Sequence, residues 1–122
     1  MSLRRDYVMR IVQQLAELAA RVLGLRKKGH LDEAVAAVEQ AARSLAGVDL
    51  RMIEGVATPS VAALVGDPDR LELLARLAAM RAEVEEDRGD AAAAAAWRTR
   101  AEELFEAAGT APGSRRPGPP PP

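Results

Sequence analysis

Val8, Ile11, Leu15, Leu18, Val22 and Leu25 recur at steps of three and four between Arg4 and Lys28. Such a series lies on one side of a helix and on no single face of a strand, and its period is that of a coiled-coil seam. A second row, Val12, Ala16, Ala19 and Leu23, widens the stripe enough for the helix to meet more than one neighbour. A helix of this length must bury its stripe against later segments or against another chain. The chain therefore reads as all-α, organised around its first helix.

The rest of the composition restricts function more than it suggests one. A length of 122 residues fits one domain with a single core, expected over residues 1–109. There is no cysteine, so disulfides and thiolate chemistry are excluded. The net charge is −1, with both signs mixed along the chain. Nucleic acid and membrane surfaces, which attract a basic stripe, are not expected partners. Arg4, Arg5, Asp6 and Arg10 interrupt the N-terminal region, so it does not read as a signal peptide. No apolar run is long enough to span a bilayer, and a cytoplasmic location is the expectation. Alanine, the best helix former, is abundant, and the aromatic residues are only Tyr7, Trp97 and Phe105.

Local signals place the later helices. Arg26, Lys27 and Lys28 supply positive charge where a helix C-terminus favours it, and Gly29 can take the positive φ of a C′ residue. His30 has no nearby His or Cys, so it reads as a turn residue. Asp32 and Glu33 open a second helix whose face is Leu31, Ala34, Val35, Val38, Ala41, Ala42 and Leu45, ending at Gly47. Leu50, Ile53 and Val56 suggest a short helical turn. Thr58–Pro59 and Asp67–Pro68 each read as an N-cap followed by proline at the first helical position. The second of these starts a helix to about Arg88, with Leu71, Leu73 or Leu74, Leu77, Met80 or Arg81, and Val84 inward. Asp90 caps a last helix whose inner stripe is Ala94, Trp97, Ala101, Leu104 and Ala108, with Gly109 as its stop. From Thr110 the chain reads TAPGSRRPGPPPP, which has almost nothing to bury and is expected to be a disordered, proline-rich tail over residues 110–122.

Two spacings carry a resemblance. In KGHLDEAVAAVEQAARSL, Ala34 and Ala41 follow Gly29 by five and twelve residues, and Ala94 and Ala101 follow Gly89 in the same way. Both stretches resemble the second half of a tetratricopeptide-like helical hairpin, in which a glycine closes the inter-helix turn and small residues pack on the first helix. The glycines are 60 residues apart, against about 34 in a contiguous array. The resemblance thus implies two antiparallel helical hairpins joined by an insertion of short helices, not a regular solenoid. The opening Arg5-Asp6-Tyr7, with Arg10 three residues after the tyrosine and Gln14 before the apolar helix, is similar to the start of an uncharacterised bacterial helical family. That likeness implies a bacterial origin and no reaction.

No catalytic motif is present. There is no glycine-rich phosphate loop and no second histidine, and Ser2, Ser44, Ser60 and Ser114 have no recognisable base. The carboxylates Glu83, Glu85, Glu86 and Asp87 sit consecutively or nearly so on one helix, point in different directions, and read as a solvated face. No enzyme activity, cofactor or metal is expected. The expected function is a non-catalytic, tetratricopeptide-like protein–protein interaction module. The alternative is a homo-oligomeric scaffold assembled through its first helix. Two groups of residues are candidates for such contacts. Tyr7, Val8, Ile11 and Leu15 would form an apolar patch that a homodimer would close, if later helices leave that end bare. Arg5, Asp6, Arg10 and Gln14 would form a polar cluster, with Asp6 four residues before Arg10 at pairing distance; it reads first as a local ion-pair and hydrogen-bond cluster and second as a partner contact.

Overall fold

The computed structural model describes residues 3–110, and within them the chain consists of helices and short connections, without a strand. The elements are α1 (Leu3–Lys27), α2 (Leu31–Ala41) with a π-helical turn Ala42–Ala46, a 3-10 turn Leu50–Ile53, α3 (Thr58–Val65), α4 (Pro68–Asp87) and α5 (Ala91–Thr110). The proline-rich tail lies outside the described residues beyond Thr110.

The helix ends follow local chemistry. Gly29 stands at φ 77° and Gly89 at φ 83°, the left-handed region in which a Cβ is strained, and each turns the chain into the next helix within three residues. Asp67 accepts a hydrogen bond from the Asp69 amide (3.0 Å), and Asp90 accepts one from the Ala93 amide (2.9 Å). Those two carboxylates satisfy donors that a helix start leaves free.

Three ends differ from expectation. The last turn of the second helix widens into the π-helical turn 42–46 before Gly47 stops it at φ 70°. Ala57, not Thr58, is the N-cap of α3, without a side-chain cap. The Thr58 hydroxyl is drawn away from the helix end, donating to Glu103 (2.7 Å) and accepting from Arg100 (3.0 Å) on α5. Finally, α5 runs through Gly109 to Thr110. Gly109 is not among the positive-φ glycines, and near a helix end it loses only the ordinary ~1 kcal/mol against alanine.

The core is centred on α4. Leu71, Leu73, Leu74, Leu77, Ala78 and Val84 are buried, because α4 meets α2, α3 and α5 at once. Its most extensive partner is α5, whose expected inner stripe Ala94, Trp97, Ala101, Leu104 and Ala108 is buried throughout. Contacts between the two fall in reverse order: Glu86 with Arg98, Arg81 with Trp97, Arg76 with Phe105. From α2 come Ala34, Ala37, Val38 and Ala41. The two alanines after each turn glycine, Ala34 and Ala41, Ala94 and Ala101, are all buried. Leu50, Ile53 and Val61 fill the remaining side from the segment between.

α1 is treated differently by the fold. Of its long stripe only Val22 is buried; Ile11, Leu15, Leu18 and Leu25 are partly buried against the core. It packs on α2 and only grazes α4, to which ion pairs hold both its ends. Near its start Arg4 pairs with Asp67 and Asp69, and near its end Arg26 pairs with Asp87 (2.6 Å) and Glu83 (3.5 Å). α1 and α4 thus run in the same direction, side by side.

Candidate functional site

The gap between α1 and α4 is the feature that α1's incomplete burial creates. Tyr7, Val8, Ile11 and Leu15 are each half-buried, because the first turns of α4 approach them without closing on them. With Leu73, Asp69, Glu72 and Arg76 they enclose a small cavity of about 70 Å³. Further along, Leu15, Ala16 and Ala19 face Ala79, Met80 and Phe105 across a wider groove of about 410 Å³. Its walls are mainly apolar, with Arg76 and Glu83 at the edge.

The outer row of α1 is left uncovered. Val12 is 56% exposed and Leu23 46%, with Ala16 and Ala19 exposed between them. Met9 (62%) and Leu3 (88%) extend this apolar surface towards the N-terminus.

The expected polar cluster is distributed differently. Arg5, Asp6, Arg10 and Gln14 all lie on exposed turns of α1. Among the described residues no ion pair joins Asp6 to Arg10; a solvated pair at this spacing gains only a few tenths of a kcal/mol. Arg4, just before this cluster, makes long-range contact with Asp67 and Asp69. Hydrogen bonding to Asp69 is the main cause that raises the Arg4 pKa, helped by its charge and by Asp67. At the other end, hydrogen bonding to Arg26 holds the Asp87 carboxyl below its ordinary value, and the same bond raises Arg26.

A second cluster contradicts the reading of Glu83–Asp87 as a uniformly solvated face. Glu85 is buried, 4% exposed, and receives Arg81 Nε at 2.8 Å. Arg81, 8% exposed, also donates from Nη1 to Glu39 of α2 at 3.1 Å and lies over the Trp97 ring, 5.2 Å from its centroid. Arg88 reaches both Glu85 and Asp32. Glu83, Glu86 and Asp87 are exposed, as expected, and pair with Arg26 and Arg98. One signal for this network was available: Arg81 falls on the inner register Leu74–Leu77–Arg81–Val84, with Glu85 one turn later. No buried side-chain nitrogen or oxygen among the described residues lacks a hydrogen-bond partner, so the network is closed. It ties α2, α4 and α5 together.

Arg100 forms a third connection. It donates to the Ile53 carbonyl (3.0 Å), the Val56 carbonyl and the Thr58 hydroxyl, fixing the segment between α2 and α4 onto α5. His30 is an exposed turn residue, 3.4 Å from Glu33. Among the described residues no group of three His, Cys, Asp or Glu side chains could hold a metal ion, and no helix is long and apolar enough to cross a membrane. No protein-family model, curated protein or solved structure matches the chain.

Proposed function

We propose that this chain is a non-catalytic protein-interaction module, made of two tetratricopeptide-like helical hairpins, α1–α2 and α4–α5, that receives a helix of a protein partner along the outer side of α1. The hairpin reading is supported by the repeated glycine–alanine–alanine spacing, whose alanines are buried in both places. One observation carries the functional reading. The apolar row Val12–Ala16–Ala19–Leu23 stays exposed next to a groove whose far wall, Ala79, Met80 and Phe105, is already in place. An amphipathic helix is the ligand such a surface fits, because it offers apolar residues at the matching three-and-four spacing. In this reading the protein acts in the cytoplasm of a bacterium, and the ion pairs at the two ends of α1 keep the groove open.

A photo-crosslinking amino acid placed at Val12 tests the proposal in source cells, with a control at exposed Glu102 on α5. Val12 should give a discrete adduct with a protein and Glu102 should not. Adducts from neither position, or equally from both, would reject α1 as the binding surface.

A further inference from the structure

We propose that the helix received along α1 is α1 of a second copy of the chain, laid antiparallel about a two-fold axis. This rests on the proposed function above and names the partner. The seam is the row Met9, Val12, Ala16, Ala19 and Leu23, at steps of three, four, three and four, and every member is exposed. It adjoins the patch that the sequence singled out: Tyr7, Val8, Ile11 and Leu15 are half-buried and line the cavity against α4 together with Val12, which stays exposed.

The flanks of the seam fix the direction of pairing. On one side stand Val8, Leu15 and Val22, seven residues apart and turned to the chain's own fold. On the other stand Asp6, Gln13, Ala20 and Lys27, also seven apart and all exposed. In an antiparallel pair the two kinds of seam position alternate across the interface, so Val12 meets Leu23 of the copy and Ala16 meets Ala19 of the copy. The same register sets Asp6 beside Lys27 of the copy at both ends, an opposite-charge pair at each. A parallel pair would instead set this charged flank against the Val8–Leu15–Val22 flank, which already faces inward. The small alanines lie next to the axis, where the backbones come closest.

α4 fits the same symmetry. The axis crosses α1 between Glu17 and Leu18. Arg26 reaches Asp87, and Leu15 shares the groove with Arg76, so the axis crosses α4 close to Ala78 and Ala79. The assembly is a four-helix arrangement of α1 and α4 from each copy, an isologous two-fold contact.

The native chain has no cysteine, which permits a direct test. Light scattering of the purified full-length protein should give twice the 13.0 kDa chain mass. Val12→Asp should return it to the single-chain mass with its helical circular dichroism unchanged, since Val12 is mostly exposed. Under mild oxidation, Val12→Cys mixed with Leu23→Cys should give a disulfide-linked dimer, and neither variant alone should. A single-chain mass at all concentrations overturns the proposal. If Val12 nevertheless crosslinks a different protein in cells, the interaction reading survives and the second copy does not. Crosslinking of each single variant with itself, as readily as in the mixture, also overturns the proposal, because a parallel pair behaves in that way.

Discussion

The guanidinium of Arg81 lies 5.2 Å from the centre of the Trp97 ring and donates to Glu85 and Glu39. Trp97 is therefore both the largest apolar group that α5 contributes and the cover over a buried charge. The pairing joins α2, α4 and α5 at one point, since Glu39, Arg81 and Trp97 belong to one helix each.

Removing one member of that network should be costly. Arg81→Met leaves Glu85, 4% exposed, with only Arg88 at 3.5 Å. An uncompensated buried charge destabilises by ~3–5 kcal/mol. The double variant Arg81→Met, Glu85→Leu should be clearly more stable than Arg81→Met, because it removes the stranded carboxylate. Urea unfolding measures both; equal stability of the single variant and the native protein would refute the argument.

Trp97→Ala should cost ~3–5 kcal/mol, the usual range for truncating a large buried aromatic. Native tryptophan emission should be blue-shifted relative to free indole, since the residue is 6% exposed and is the only tryptophan. Emission at the fully solvated wavelength would contradict this packing.

Arg100→Met removes the donors to the Ile53 and Val56 carbonyls and to Thr58. Charged donors contribute roughly 1.5–3 kcal/mol each when unscreened, and less where part of the site meets water. The expected result is a modest loss of global stability with a larger local effect. Amides of residues 53–58 should exchange faster, while those in the middle of α4 should keep most of their protection.

The Arg26–Asp87 pair predicts a pH effect with a definite sign. Its hydrogen bond and charge favour the ionised carboxylate, so the folded Asp87 titrates below its ordinary value of 3.8. A carboxyl depressed by folding contributes stability above its unfolded pKa and loses it as pH falls through the folded one. The contribution should thus be complete at neutral pH and vanish in the acid range below 3.8. Carboxyl-carbon NMR titration should place Asp87 low in the native protein and back near the ordinary value in Arg26→Met. An unmoved titration midpoint would mean that the pair does not persist in solution.

Much of this architecture is legible from the chain alone. Periodic apolar residues specified α1, α2, α4 and α5, and the Thr58–Pro59 signal marked the start of α3. Gly29 and Gly89 specified the turns, and Asp67 and Asp90 the caps. These are local instructions: a helix period, a positive φ and a carboxylate near free amides all act within a few residues. The inner stripe of α5 was legible for the same reason, because every large apolar residue of that helix except Phe105 lies on it.

Tertiary structure decided the rest. The sequence offers α1 two apolar rows, and only the placement of α2 and α4 covers one and leaves Val12, Ala16, Ala19 and Leu23 outside. Glu85 resembles its neighbours Glu83 and Glu86 in sequence, but Arg81, Arg88 and the nearby Trp97 make its burial tolerable. Thr58 has the residue type of a cap, but Arg100 and Glu103, more than forty residues away, take its hydroxyl. In each case the local free energies of the alternatives are close. The choice falls to a partner from a distant segment, because burial and charge pairing depend on what arrives in space and not on spacing along the chain.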